Sequence, residues 1–272
     1  MCPGPVAGRP VEMFMREGKS MDNRSAAVAQ AVELIRQSKA GRGDHDYISF
    51  HSRRWKYLFE LCLRFLPPRQ SRVLDIGRTQ FSYDLAGYYS EVETLGFPLE
   101  GDVGGHTALR HTPPKTIPHV VFDLNQAQDP GSWTRLQPFD LIVLAEVIEH
   151  IHTAPELVFL FLRSILKPGG TLICQTPNAV WFPRRIEMLK GVQPFERIRC
   201  YDKNPGHFRE YTGNELRELG ELCGFEILRH EFMDYFGPEL QTTLRPKRLL
   251  YKCLTALFPA LRSGQTIVFR LP

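Results

Sequence analysis

Phe139-Asp-Leu-Ile-Val-Leu-Ala-Glu-Val-Ile-Glu-His-Ile151 is the stretch that decides how the rest of the chain is read. Phe139–Leu144 is apolar on both faces, the pattern of a central parallel strand covered on both sides. Ionisable residues then arrive together, at Glu146, Glu149 and His150. The sequence continues through Ala154–Leu166, which fits a helix stopped by Lys167-Pro-Gly-Gly170, into Thr171–Gln175, a further buried strand.

The same alternation extends outward in both directions. Upstream, Tyr47–Leu66 spaces Phe50, Trp55, Leu58 and Phe59 as an amphipathic helix that Pro67-Pro68 ends. Arg72–Ile76 is a short buried strand, Val92–Phe97 a weaker one and Val120–Phe122 a third. Downstream, Glu215–Cys223 is a helix closed by Gly224, with strands at Phe225–Phe232 and Gln265–Phe269. Strands alternating with helices imply right-handed crossovers and a mainly parallel sheet. Ligands of such sheets sit beyond the carboxyl ends of the strands, so the informative residues should follow Ile76, Phe97, Phe122 and Leu144. Residues 1–44, with a helical stretch at Ser25–Ser38 and a break at Gly41–Asp44, read as a partly flexible N-terminal extension to a domain over 45–272.

Composition narrows the class. At 272 residues, 43% hydrophobic and 24% charged, the chain has the make-up of one globular α/β domain. A net charge of +4 permits an anionic ligand without demanding nucleic acid. The six cysteines contain no C-x-x-C pair, which argues against metal-ribbon and disulfide scaffolds and for a reducing, cytoplasmic home. The first ten residues lack an apolar signal-peptide core, and no apolar run reaches the ~18 residues needed to span a bilayer.

Three motifs, in order, resemble those of class I S-adenosylmethionine-dependent methyltransferases, over about residues 70 to 232. Val73-Leu-Asp-Ile-Gly77 is similar to the start of the family's glycine-rich cofactor loop, although the later glycines are absent from Arg78-Thr-Gln-Phe-Ser82. The 139–151 stretch resembles the F-D-x…E-V-x-E-H motif, and Leu166-Lys-Pro-Gly-Gly170 the turn into strand five. His207-Phe-Arg-Glu-Tyr-Thr212 and Leu216–Ile227 resemble the region before strand six. The resemblance implies a Rossmann-like, mostly parallel seven-stranded sheet with helices on both faces, and S-adenosylmethionine held by Asp75, Gly77, Arg78, Asp123, Leu124, Ala145 and Glu146. It also implies a lid-like insertion at about 178–206. Where the family places a ribose-binding carboxylate, at the end of strand two, this chain has Gly96; Glu93, Glu100 or Asp102 are the possible substitutes. Asp123 reads equally well as an adenine contact and as a turn-capping Asp.

Glu146, Glu149 and His150 form the sharpest constellation. If 146–150 opens a helix, positions i, i+3 and i+4 share a face, which suits a divalent-metal (Mg or Mn) or general-base site. The spacing resembles the metal-binding Glu-x-x-Glu-His of small-RNA 2′-O-methyltransferases, with His207 at the place of their later ligand. The plainer reading is two first-turn carboxylates favoured by the helix dipole. The catalytic candidates are thus His150, Glu149 and His207, and the metal set Glu146, Glu149, His150 and His207. Tyr47, His51 and Arg54 could cap the cofactor, while His106, His111, His119 and His152 read as ordinary loop residues.

Methyl transfer from a sulfonium is an in-line displacement and needs no covalent nucleophile, and Cys174 lies inside a buried strand. The expected reaction is direct O-methylation of a small-molecule, glycan or lipid-linked acceptor. Metal-assisted RNA 2′-O-methylation is an alternative, though no basic face with interleaved aromatics favours nucleic acid. A degenerate, non-catalytic binding protein is another, suggested by Gly96 and the eroded glycine loop. The helix candidate Arg245–Leu261 suits peripheral contact with an anionic membrane, but the default for such a helix is to pack its Leu/Phe face on the core.

Overall fold

The computed structural model describes residues 44–66, 71–98, 117–199, 205–235 and 245–272. The helix expected at Ser25–Ser38, the residues Glu100, Asp102, His106 and His111, and the side chain of Tyr47 lie outside the described residues. Helix α1 (Asp44–Phe65) leads into strand β1 (Arg72–Ile76), helix α2 (Gln80–Ala86), β2 (Glu91–Gly96) and β3 (His119–Val121). There follow β4 (Phe139–Ala145), α3 (Pro155–Ser164), β5 (Leu166–Pro177), α4 (Phe182–Leu189) and α5 (Gly213–Leu222). The chain closes with β6 (Glu226–Met233), α6 (Arg245–Leu257) and β7 (Gly264–Arg270).

The seven strands form one sheet in the order β3-β2-β1-β4-β5-β7-β6. All pairings are parallel except those of β7, which runs antiparallel to both β5 and β6. Side-chain alternation divides the apolar strand residues between two cores. Leu74, Ile142, Leu144 and Leu172 face the layer of α3 and α5, against Phe159, Phe161 and Leu216. Val73, Leu141, Val143 and Ile173 face the layer of α1 and α2, against Trp55, Leu58, Phe81 and Leu85. Asp75 therefore falls on the α1/α2 face. At Gly220 a Cβ would come within 2.1 Å of the Phe269 ring, so glycine is what lets α5 lie directly on β7.

Two expectations are corrected here. Lys167-Pro-Gly-Gly170 does not merely stop the helix: it lies within β5, where pairing with β4 slips between Phe139↔Leu166 and Leu141↔Thr171. Gly169 N and Gly170 O bond Leu271 instead, so the turn is stitched to the chain's last residues. The C-terminal helix ends at Leu257 rather than running to Leu261. Three of its leucines do not pack on the core, since Leu249, Leu250 and Leu257 are 64%, 57% and 73% exposed.

Candidate active site

The carboxyl ends of β1, β2, β4 and β5 converge, as parallel topology requires. At the first of these, Gly77 follows β1 at φ +94°, where a Cβ would meet nothing within 4 Å, and its N–H donates to Leu95 O at 2.7 Å. The left-handed glycine turns the chain sharply and leaves an open cradle beside it. Gly96 closes the other side, its Cβ direction only 3.7 Å from the Gly77 Cα. No carboxylate stands at this end of β2 among the described residues. Glu93 lies inside β2 rather than at its end and is paired with Arg72.

Asp75, one residue before the turn, is buried and accepts a hydrogen bond from Ser82 Oγ at 2.6 Å. Ser82 itself completes a capping box with Thr79 at the start of α2, so Asp75 organises the loop and helix after β1. Burial pushes its carboxyl up to about 7, against the Ser82 bond and the nearby Arg54 charge, which lower it. Arg54, reaching in from α1, donates to Gln175 Oε1 at 3.2 Å and to His51 Nδ1 at 3.3 Å. Arg78 Nε donates to Tyr83 OH at 3.0 Å, which turns that side chain onto α2. Asp123 Oδ1 accepts from Asn125 N and Nδ2, so this Asp caps the 3₁₀ turn that holds the buried Leu124.

Beyond β4 the chain does not enter an α-helix. Glu146 sits at φ +56°, and only Ile148–His150 form a 3₁₀ turn. The expected helical face of Glu146, Glu149 and His150 is therefore absent, and so is the first helical turn that would explain its carboxylates. Left-handed backbone on a glutamate is unfavourable and persists only where its surroundings hold it; here Glu146 N donates to Gln175 O at 2.8 Å.

What the turn does instead is bring Glu149, His150 and the distant His207 together, with one ligand atom from each within 4.8 Å of the others. Glu146 is not in this group. Glu149 is fully buried: its Oε2 accepts from Thr176 Oγ1 at 2.8 Å, while Oε1 has no hydrogen-bond partner and lies 4.0 Å from His150 Nε2. Glu146 Oε1 is likewise buried and unpartnered. Burial first, then the neighbouring Glu149, pushes the Glu146 carboxyl up to about 8, and burial raises Glu149 as well.

Both imidazoles are oriented from behind. His150 Nδ1 is 2.9 Å from Gly206 O, an acceptor only, so Nδ1 carries the proton and Nε2 keeps its lone pair. Burial holds its pKa below the usual range, which keeps it neutral. His207 Nδ1 is 2.8 Å from Glu210 Oε1, and the rings of the two histidines meet edge to face at 4.7 Å. Burial lowers the His207 pKa, but the Glu210 bond and the charge of Glu149 outweigh it and the net direction is upward. Glu210 is itself clamped by the Arg184 guanidinium, one bond of which measures 2.8 Å. Glu210 and Thr176 were not singled out from sequence; the only signal was the i, i+3 spacing of His207 and Glu210. Residues 178–206 thus touch the cluster at both ends, through Arg184 at one and Gly206 at the other. Of the remaining histidines, His119 bridges Thr94 Oγ1 and Phe97 O at the β2–β3 edge, and His152 meets Phe208 edge to face.

A model of the methyltransferase domain matches residues 50–230, and the chain belongs to that family, with the class I S-adenosylmethionine-dependent methyltransferase fold. A stretch of 89 residues is 36% identical to a "probable S-adenosylmethionine-dependent methyltransferase" of Mycolicibacterium smegmatis, covering 32% of this chain and 29% of that protein. The match thus spans under a third of that relative's length. The N-methyltransferase NodS of Bradyrhizobium japonicum, solved with S-adenosyl-L-homocysteine, shares the fold at TM-score 0.54 and 16% identity, over 90% of this chain and 98% of that one. A SAM-dependent methyltransferase of Archaeoglobus fulgidus does so at TM-score 0.51 and 15% identity, over 84% and 100%.

Proposed function

We propose that this chain transfers the methyl group of S-adenosylmethionine to a hydroxyl oxygen of a small-molecule, glycan or lipid-linked acceptor, and that Glu149, His150 and His207 activate that hydroxyl. The methyl donor follows from family membership, and the cradle of Gly77 and Gly96 at the ends of β1 and β2 has the open, Cβ-free shape it needs. When bound, the donor supplies an electrophilic methyl on a sulfonium. This chain's residues hold the acceptor in line, exclude water and take up its proton.

The observation that carries the reading is the set of free valences in the cluster. One buried carboxylate oxygen has no partner, and two imidazoles, each bonded at Nδ1, bring a ring nitrogen within 4.8 Å of a Glu149 oxygen and of each other. Backing of this kind fixes the tautomer and raises the basicity of the far nitrogen. His207, paired with the ionised Glu210, is the stronger base, and His150, held neutral, is a second acceptor for the proton. The same donor set fits a divalent cation, which Glu149, His150 and His207 would hold and which would acidify a bound hydroxyl. Two imidazoles favour Mn²⁺ over the harder Mg²⁺ there.

Calorimetric titration with S-adenosylhomocysteine, and separately with Mn²⁺, tests both levels. Micromolar binding of S-adenosylhomocysteine by the native chain and by Glu149→Gln alike, with Mn²⁺ bound only by the native chain, is the expected pattern. No binding of S-adenosylhomocysteine would sink the methyltransferase reading itself. Binding of it without Mn²⁺ would leave His207 as the base and remove the metal.

A further inference from the structure

Helix α6 carries its apolar residues on the wrong side for a helix that only supports a core. Among its described side chains, Tyr251 and Thr255, one turn apart, are the buried ones. Tyr251 OH accepts from Trp181 Nε1 at 3.1 Å and donates to Asp234 Oδ1 at 2.7 Å, and its ring lies 6.4 Å from that of Phe182. At 100° per residue, Leu249, Leu250, Cys253 and Leu257 fall on the opposite face. That face is in solvent: Leu249, Leu250 and Leu257 are more than half exposed, and Phe258 just beyond them is 59% exposed. A scattered exposed leucine means nothing, but several on one face of one helix mark an interaction surface.

Two of the neighbours of Tyr251, Trp181 and Phe182, belong to the start of α4, and α4 ends in a second exposed apolar pair, Met188 at 58% and Leu189 at 83%. The charges on α6 are of one kind. Arg248 and Lys252 are exposed on it, and no Asp or Glu occurs in the chain after Glu239; at the end of α4, Arg185 and Lys190 stand on either side of one exposed carboxylate, Glu187. Apolar side chains toward solvent on a helix whose only charges are cations are what an anionic bilayer surface selects: leucines enter the acyl boundary while Lys and Arg meet the phosphates. No helix among the described residues is long and apolar enough to cross a membrane, so the contact is one of lying on the surface.

We propose that the exposed face of α6, with the end of α4, is a docking surface for an anionic phospholipid bilayer. The surface stands on its own observations. Its consequence for the acceptor rests on the function proposed above: α4 also carries Arg184, the clamp on Glu210 behind His207, so a lipid-linked acceptor held in the bilayer would sit beside the element that backs the proposed base.

Co-sedimentation of the full chain with vesicles of phosphatidylcholine, and of phosphatidylcholine mixed with phosphatidylglycerol, tests it without cofactor or acceptor, and so independently of methyl transfer. The chain should pellet with the anionic vesicles and stay in solution with the neutral ones, and salt should release it. Leu249→Ser with Leu257→Ser should lower the partition by about tenfold or more with an unchanged melting curve, because both side chains already stand in water. Arg248→Glu with Lys252→Glu should abolish the preference for anionic vesicles. A native chain that stays in the supernatant with both vesicle types overturns the proposal, as does binding that neither double variant weakens. A dimer that Leu249→Ser/Leu257→Ser disperses, without vesicle binding, would give the face to a second copy of the chain and equally overturn it.

Discussion

Two carboxylates are buried at the carboxyl ends of neighbouring parallel strands, and they are treated in opposite ways. Asp75, after β1, accepts from Ser82, which in turn caps α2, and Arg54 lies close enough to favour its charge. Glu149, after β4, has a partner for one oxygen and none for the other, beside a second unpartnered carboxylate at Glu146. A buried polar atom left without a partner costs about 1–3 kcal/mol, so folding alone would have filled Glu149 Oε1 and did fill Asp75. The first site holds the fold in shape; the second keeps a valence open for something that arrives from outside.

Substitution at the two positions should therefore split stability from activity. Glu149→Gln should lower the rate of methyl transfer by about 10²–10⁴-fold, the range for loss of an acid–base group. Its melting temperature should hold or rise, because the change removes a buried ionisable group whose Oε1 has no partner. A fall in melting temperature with activity intact would reverse the assignment. Glu210→Gln, which loosens His207 without removing it, should cost about 10–100-fold. The loss should appear in kcat more than in KM, with a shift of the kcat pH profile that a merely structural residue would not give.

Asp75→Ala should do the reverse of Glu149→Gln, lowering stability by about 1–3 kcal/mol as the Ser82 hydroxyl loses its acceptor. Chemical denaturation would read this, and an unchanged midpoint would refute the structural role. Asp75 also sets a pH dependence. The folded chain keeps its proton up to about 7, whereas the unfolded chain releases it near ~3.9. Between those values the folded state binds more protons, so stability falls as pH rises across that window. Asp75→Asn, which cannot ionise, should flatten the slope of unfolding free energy against pH there. The smallest effect is expected at Asp123. Asp123→Ala removes the cap from Asn125 N and should cost about 1 kcal/mol. A loss of S-adenosylhomocysteine affinity in Asp123→Asn, which can still cap, would show a cofactor contact beyond that turn.

Local pattern was enough for the strands and most helices. Val73–Ile76, Phe139–Leu144 and Thr171–Gln175 are apolar runs bounded by turn residues, and each lies within one strand of the sheet. Its limits are equally specific. The 3.6-residue period placed Glu146, Glu149 and His150 on one face, but the left-handed backbone at Glu146 breaks that period before it begins. Likewise α6 has a regular amphipathic pattern, yet pattern alone does not say which way an apolar face points.

What the sequence by itself determined is the order of the elements, the parallel sheet and the placing of the ionisable residues just after its strands, because burial period and turn chemistry act over a few neighbours. Only the tertiary structure decided that His207, 57 positions beyond His150 in the numbering, meets it edge to face, that Glu210 and Gly206 fix the tautomers, and that one oxygen of Glu149 is left over. Those facts depend on which distant segments converge at the strand ends, and hydrogen-bond satisfaction is settled only when every buried neighbour is in place.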